Sequence, residues 1–377
     1  MTLETRYPAL SDLRVRAQQR IPKFVWEYLD SATGQEKAKA RNRSALDAVQ
    51  MLPSILHGEF DPDLSVHFLG RTLPLPFGIA PVGMSGLIWP GAERALARAA
   101  ARHNIPYTLS TVATQAPEDV APVLGDQGWF QMYPPRDPDI RQDMLRRVQD
   151  SGFHTLVLTV DVPVASRRER QVRSGLTNPP KLTPRLAAQA MMCPTWAMGM
   201  RKTGLPHMRM LDKYIDTDST SLSSTAHVGY LLRTAPDWEY VRWLRDAWNG
   251  SFIIKGVMRG SDAPKLEQIG VDALWVSNHA GRQFDGTPAA ISVLPQIRAA
   301  TKLPLIFDSG VETGLDILRA HALGANFVMM GRAWHYALGA LGDPIGPDHL
   351  VGLLRADLVA NMGQLGAATL KDLPTPR

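Results

Sequence analysis

The chain has 377 residues, 45% hydrophobic and 20% charged, so it is long enough for two average domains or one large α/β barrel. Its single cysteine, Cys193, excludes an internal disulfide, and it has neither a signal-peptide core nor an 18-residue apolar run, so we expect a cytoplasmic protein. The net charge of +5 is unevenly placed, because residues 162–235 hold eleven Lys/Arg and four Asp/Glu. A membrane surface or another anionic partner could bind this basic segment, whereas nucleic acid is not expected as a partner.

Residues 1–76 are predicted to form a helical cap, with helices at Pro22–Asp30 and Glu36–Val49. From residue 77 onward, short apolar runs typical of buried strands alternate with amphipathic helical patterns. The runs predicted as strands are Phe77–Val82, Tyr107–Ser110, Gly128–Tyr133, Thr155–Asp161, Phe252–Val257, Ala273–Ser277, Pro304–Asp308 and Asn326–Met330. The helical patterns between them include Ala92–Arg102, Pro138–Asp150, Asp237–Trp248 and Gly314–Leu323.

Eight βα units in succession indicate a parallel (β/α)₈ barrel, or TIM barrel, more than a doubly wound sheet. We therefore expect residues 1–377 to form one domain, in which the basic segment 162–235 is a long insertion after the fourth strand. In barrels of this type, catalytic residues lie at the C-terminal ends of the strands. Polar residues end nearly every predicted strand here, so we expect the functional site at that end.

The segment Ser277–Gly286 follows the sixth predicted strand and pairs a titratable base with a fixed cation. His279 and Arg282 are three residues apart, and Gly281 between them allows the sharp turn that brings both side chains to one pocket. Such a pair can hold a carboxylate substrate and move a proton on its neighbouring carbon.

This segment resembles the signature of the FMN-dependent L-2-hydroxy acid oxidoreductases, the family of glycolate oxidase, L-lactate dehydrogenase and mandelate dehydrogenase. The usual wording has Gly where this chain has Ala280, a change that removes no functional group. The resemblance spans about residues 5–370 and implies FMN-dependent oxidation of an L-2-hydroxy acid to the 2-oxo acid. It implies His279 as the catalytic base and Lys255 beside the flavin, with Arg167 as an alternative to Arg168 for carboxylate binding. The other catalytic or substrate-binding residues that it implies are Asp161, Tyr28, Tyr133, Arg168 and Arg282.

Lys255 is a cation in an apolar strand, where an unpaired charge would cost several kcal/mol, so a negative partner is expected. The resemblance makes that partner the flavin edge where charge accumulates on reduction, and a salt bridge to a barrel carboxylate is the alternative. Glu312 stands where many members carry an arginine near the FMN phosphate, so either Arg332 does more of that work or Glu312 points away. Besides Lys255, the implied cofactor-binding residues are Ala80, Pro81, Val82, Gly83, Ser110, Gln131, Thr159, Ser277, Asp308, Ser309, Gly310, Gly331 and Arg332. No metal site is expected, because the ten histidines are scattered and there is one cysteine.

Substrate choice depends on the loop after the second strand. Some short-chain oxidases have tryptophan where this chain has Val112, and the smaller residue leaves room for a larger substrate side chain. The wording Leu109–Val112 also resembles the bacterial respiratory L-lactate dehydrogenases. L-lactate is therefore the first expected substrate, and an aryl hydroxy acid such as mandelate is the second.

The electron acceptor depends on the insertion, whose residues 181–213 combine a Met-rich apolar stretch with the basic pair Arg201 and Lys202. This composition suits peripheral association with the cytoplasmic face of the inner membrane and transfer of electrons to quinone or a redox protein. The alternative is a flexible lid over the flavin, with oxygen as acceptor and hydrogen peroxide as product. The resemblance suggests a homotetramer. A barrel that has lost catalysis and serves as a binding scaffold is the alternative of another class.

Overall fold

A computed structural model of the protein describes residues 2–176, 183–214 and 234–376. Parallel strands form a closed barrel in which each strand pairs with the next along the chain and the eighth pairs with the first. This topology confirms the predicted (β/α)₈ barrel, and each predicted strand end lies within three residues of the observed one. The strands are β1 (Phe77–Ile79), β2 (Tyr107–Ser110), β3 (Gly128–Met132), β4 (Thr155–Thr159), β5 (Ser251–Val257), β6 (Ala273–Val276), β7 (Leu305–Phe307) and β8 (Phe327–Met330).

Helices follow the strands, and polar caps fix where several of them begin. The side chain of Asp237 accepts a hydrogen bond from the Tyr240 amide, and Thr313 forms a capping box with Asp316. The final helix, Ile345–Leu365, lies outside the predicted elements. The helices from the barrel onward, apart from the insertion, are Ser85–Ile88, Ala92–His103, Pro117–Leu124, Pro138–Asp150, Trp238–Ala247, Ala263–Ile269, Ala290–Ala300, Gly314–Ala322, Arg332–Leu341 and Ile345–Leu365.

The N-terminal cap departs from the predicted helical cap. It contains, besides helices, an antiparallel hairpin of Val66–Phe68 and Arg71–Leu73. The Phe68 ring stacks 6.1 Å from Trp129 and 5.2 Å from Phe327, centroid to centroid, at the beginnings of β3 and β8. The hairpin therefore closes the N-terminal end of the barrel and leaves the C-terminal end for the site. The helices of the cap are Leu3–Arg6, Leu10–Arg20, Lys23–Asp30 and Lys37–Asp47.

The insertion after β4 contributes three α-helices to the described residues, Glu169–Ser174, Pro184–Met191 and Pro194–Thr203, and the 3₁₀ helix Arg209–Tyr214. The Trp196 indole donates a hydrogen bond to the Leu87 carbonyl at 3.0 Å, and its ring packs edge-on against Phe24 of the cap. The inner side of the insertion is thus docked on the cap and on the loop after β1. Residues 177–182 and 215–233 of the predicted insertion lie outside the described residues.

Alternation along the strands decides which residues reach the cavity. In β5, Ile253 packs in the barrel interior, while Phe252 and Ile254 pack in the core formed with the helices, so Lys255 also faces inward. Each strand has one last inward position, on the strand or directly after it, and six of these eight positions are polar. The eight are Ala80, Ser110, Gln131, Thr159, Lys255, Ser277, Asp308 and Gly331, of which Ala80 and Gly331 are not polar.

Candidate active site

A cavity of about 400 Å³ opens above these inward positions, between the strand ends, the cap and the insertion. The predicted residues on its wall are Tyr28, Ala80, Pro81, Val82, Gly83, Tyr133, Arg168, Lys255, His279, Arg282, Asp308, Ser309, Gly310, Gly331 and Arg332. Five further predicted residues are buried or half-buried beside the wall: Ser110, Gln131, Thr159, Asp161 and Ser277. The fold therefore brings the predicted residues to one end of the barrel.

His279 meets Asp161 at the barrel mouth, where Nδ1 lies 3.1 and 3.2 Å from the two carboxylate oxygens. An N–H at Nδ1 directed at this carboxylate leaves Nε2 as the proton acceptor. Burial lowers the pKa of His279, the Asp161 carboxylate opposes that effect, and Lys255 lowers the pKa further. The imidazole is consequently neutral at neutral pH, as a base must be.

Gly256, which is outside the predicted set, allows this contact. The ladder of β5 shifts register between Lys255 and Val257, and Gly256 in the bulge has a φ of +106°. A Cβ at Gly256 would lie 2.6 Å from Cβ of Asp161, which is too close. The available signal was a glycine inside an otherwise apolar strand.

Arg282 is anchored on the C-terminal end of the cap helix Lys23–Asp30. Its Nη1 donates to the carbonyl oxygens of Tyr28 at 3.0 Å, Leu29 at 3.2 Å and Ser31 at 2.8 Å. A cation at this position also interacts favourably with the negative end of the helix dipole. The cap thus fixes the guanidinium whose backbone belongs to the loop after β6.

Arg168 begins the insertion helix Glu169–Ser174 in a left-handed conformation, with a φ of +46°. Its Nε donates to Ser166 Oγ at 3.1 Å. Arg168 is half-buried on the cavity wall, whereas Arg167, also on the wall, is exposed. This difference in burial favours Arg168 over the neighbouring alternative.

The cap holds the Arg168 segment through charged contacts on its C-terminal side. Glu169 accepts a hydrogen bond from the Gly34 amide at 2.8 Å. Arg170 pairs with Glu27 at 2.6 Å and with Asp30 and Glu36 at 3.1 Å each. These contacts determine where the insertion helix begins, and hence where Arg168 enters the cavity.

Two tyrosines face the same space. The Tyr28 hydroxyl donates to the Gly83 carbonyl at 2.9 Å. Burial and the Asp161 carboxylate raise the pKa of Tyr133 well above its usual value, while the positive charges of Arg168 and Arg282 oppose the rise. Tyr133 therefore keeps its proton and remains a hydrogen-bond donor.

Lys255 has partners inside the protein. Its Nζ donates to Ser277 Oγ at 2.8 Å and lies 3.3 Å from the Asp308 carboxylate. A barrel carboxylate thus pairs with Lys255, and the expected contact of Lys255 with the flavin stays a prediction. Because Lys255 and Asp308 both line the cavity, this ion pair still presents the ammonium group to a ligand.

The residues present fit FMN. In the described chain, Gln131 Nε2 and Arg332 Nε are buried without a hydrogen-bond partner, which indicates that a bound group completes them. Gln131 and Lys255 would hold the ring system, Ala80–Gly83 would lie along it, and Arg332 with the glycines at 310 and 331 would hold the phosphate. When bound, FMN accepts the two electrons that leave the substrate.

Glu312 is exposed on the cavity wall. Burial acts to lower the pKa of Arg14, but Asp30, Tyr336 and Glu312 outweigh this effect, and the pKa is raised. Glu312 therefore lies near Arg14. The expected role of Arg332 at the phosphate stays a prediction.

Comparison with known proteins places these observations in a family. The model of the FMN-dependent dehydrogenase family matches residues 17–376. The chain belongs to this family. L-lactate dehydrogenases of Pseudomonas paraeruginosa and Stenotrophomonas maltophilia are 35% and 36% identical to it over 97% of this chain and 96–97% of theirs. A crystal structure of (S)-mandelate dehydrogenase, described as a monotopic membrane protein, matches with a TM-score of 0.92 and 32% identity over 98% of both chains.

The chain is an FMN-dependent L-2-hydroxy acid oxidoreductase with FMN as its cofactor. The expected reaction class and the expected cofactor are both confirmed. None of the helices in residues 2–176, 183–214 and 234–376 is both long enough and apolar enough to cross a membrane.

Proposed function

We propose that the protein oxidises L-lactate to the 2-oxo acid, with His279 as the base and Arg168 and Arg282 as the carboxylate ligands. One observation carries the proposal: the cavity holds more buried positive charge than it neutralises. Burial and the positive charges of Arg168 and Arg332 lower the pKa of Arg282 well below its ordinary value. A substrate carboxylate between the two arginines would supply the missing negative charge, in the planar geometry that guanidinium groups favour.

In this arrangement, each protein group has one task. The arginines orient the carboxylate and the two tyrosines donate hydrogen bonds to the substrate. His279 takes the proton that leaves the substrate, and Asp161 stabilises the imidazolium that forms. A mandelate-type substrate is the second candidate, because Val112, Val162, Ala165 and Met208 line the same cavity and are apolar, as a larger apolar side chain requires.

Anaerobic bleaching of the flavin absorbance by a panel of 2-hydroxy acids tests the substrate. L-lactate is expected to bleach the protein at a lower concentration than L-mandelate, glycolate or a long-chain acid. D-lactate at the same concentration is the matched control and should be inactive. A protein that holds FMN but is bleached by none of these acids would contradict the proposed function, and faster reduction by mandelate would replace lactate with the second candidate.

For the electron acceptor, we propose a membrane quinone, reached by association of the insertion with an anionic lipid surface. Met191, Met192, Met198 and Leu205 are between 61% and 84% exposed on or next to the two helices Pro184–Met191 and Pro194–Thr203. Arg201 and Lys202 lie in the last turn of the second helix. Since the inner side of these helices is docked on the cap, the exposed apolar side chains beside basic residues are free to enter a lipid interface.

Co-sedimentation with vesicles, with and without anionic lipid, tests the membrane surface. Met192→Asp should lower the bound fraction, while Leu56→Asp should not, because Leu56 is 98% exposed on the cap and outside the insertion. Equal loss in both variants, or none in either, would contradict this surface. Mixing reduced enzyme with oxygen and measuring peroxide tests the acceptor, since rapid peroxide formation would favour the oxidase alternative.

A further inference from the structure

The turn that carries His279 has a costly backbone conformation. His279 and Ala280 have φ angles of +55° and +53°, in the left-handed region, and Gly281 follows at +74°. For residues with a Cβ, this conformation costs roughly 1–2 kcal/mol each. It persists only where the surrounding structure holds it in place.

One buried hydroxyl, from the loop after the neighbouring strand β7, holds this turn. Ser309 Oγ accepts hydrogen bonds from the amides of Asn278 at 3.2 Å and Ala280 at 3.1 Å, on either side of His279. The same oxygen donates to Asp308 at 2.7 Å. Its donor and both of its acceptor sites are therefore used within the protein.

These contacts belong to a closed ring of polar groups. The His279 amide donates to Ser277 Oγ at 3.0 Å, and Ser277 accepts from Lys255 at 2.8 Å. Lys255 pairs with Asp308 at 3.3 Å, and Asp308 accepts from Ser309. The three successive amides 278–280 are thus tied, through two serines, to the ion pair on the floor of the cavity.

We propose that Ser309 is a positioning residue for His279, whose hydroxyl holds Ala280 in its left-handed conformation and so keeps the imidazole against Asp161. This inference rests on the proposed role of His279 as the base. It assigns Ser309 to the protein rather than to the cofactor, although Ser309 also lies on the cavity wall. The hydroxyl is needed in part because position 280 carries a Cβ, since a glycine there would remove the cost at 280 and leave only that at His279.

The test is a double-mutant cycle between Ser309→Ala and Ala280→Gly in the FMN-loaded protein. Ser309→Ala should slow anaerobic flavin reduction by L-lactate about 10- to 100-fold, because a small displacement of a catalytic group has effects of that size. Substrate affinity should change less than about twofold, since the arginines are untouched. Adding Ala280→Gly should recover most of the lost rate, because the turn no longer needs the hydroxyl.

Ser309→Gly separates the hydroxyl from the backbone. Ser309 itself has a φ of +87°, so glycine relieves strain at 309 while removing the hydroxyl. It should slow reduction as Ser309→Ala does. A wild-type rate in Ser309→Gly would show that only the backbone at 309 matters and would overturn the proposal.

A readout that does not depend on turnover is the downfield proton resonance of the His279 N–H bonded to Asp161, assigned with His279→Ala. It should weaken in Ser309→Ala and return in the double variant. A wild-type resonance and rate in Ser309→Ala, combined with weaker FMN binding, would make Ser309 a cofactor ligand instead. If no hydroxy acid reduces the wild-type protein, the proposed function fails, and the resonance still decides the role of Ser309.

Discussion

The two halves of the cavity are built differently. Lys255 lies on a strand whose backbone ladder fixes its height, and His279 lies three residues after the end of another strand. Tyr28 belongs to the cap, Arg168 to the insertion, and Arg282 is held by cap carbonyls. In the proposed mechanism, the base therefore depends on the barrel, whereas three of the four substrate ligands, all except Tyr133, depend on how the cap and insertion dock.

This difference has a kinetic consequence. Substitutions in the barrel half should lower the rate of flavin reduction and leave substrate affinity nearly unchanged. Substitutions in the cap half should weaken substrate binding more than they slow the chemical step, because the base and its carboxylate stay in place.

His279→Ala is expected to have the largest effect. Without the base, flavin reduction by L-lactate should slow by about 10⁴-fold, the upper range for general base catalysis. The FMN content, measured from the visible absorbance, should stay at the wild-type level and serves as the control. A near-wild-type rate of reduction would remove His279 from the mechanism.

Asp161→Asn should slow reduction by about 10³-fold, because the amide no longer stabilises the imidazolium or fixes the ring tautomer. The pH profile gives a second readout. Burial lowers the pKa of His279 from 6.5, so the neutral base persists below pH 6.5 and the acid limb of kcat/KM should lie there in the wild type. Since Asp161 raises this pKa, its replacement should move the limb to lower pH, and a shift to higher pH would contradict the assigned pair.

Arg168→Lys should weaken substrate binding about 10- to 100-fold, because lysine cannot form two parallel hydrogen bonds with a carboxylate and one charged hydrogen bond is worth about 1.5–3 kcal/mol. The limiting rate of reduction should fall less than the affinity. Arg167→Lys is the matched control, since Arg167 is the exposed neighbour on the same loop. A larger loss of affinity in the control would exchange the two assignments.

The barrel half of the site could be predicted from sequence because strand periodicity determines it. A polar residue ending an apolar run, such as Lys255 or Asp308, had to lie at the C-terminal mouth once eight βα units were recognised. The family resemblance then gave His279 and Asp161 their roles. Gly256 was missed because its function, close approach of another strand's side chain, depends on a bulge that no periodicity shows.

For the cap half, the sequence predicts which residues belong to the site but not which contacts hold them in place. That Arg282 is held by carbonyls of the cap helix depends on long-range docking, which no local pattern encodes. The hairpin Val66–Phe68 and Arg71–Leu73 was missed because its strands have three residues each, too few for alternation to be visible. The contact of the Ser309 hydroxyl with the turn after β6 could not be predicted, because it depends on how two loops meet, and the expected contact of Ser309 with FMN stays a prediction.

The smallest effect is expected at Arg170, which touches no substrate but joins the insertion helix to the cap. Arg170→Gln removes the ion pairs to Glu27, Asp30 and Glu36, so the helix Glu169–Ser174, which directly follows Arg168, should dock less firmly. The KM for L-lactate should rise about 3- to 10-fold with kcat unchanged, since partly exposed ion pairs contribute about 1 kcal/mol.

Arg173→Gln, on the exposed side of the same helix, is the control and should behave as wild type. High salt should raise the KM of the wild type towards that of Arg170→Gln. It should raise the KM of the variant less, because screening acts on the ion pairs that the variant lacks. A fall in kcat at constant KM would mean that the insertion positions the base as well as the substrate, and the division between the two halves would not hold.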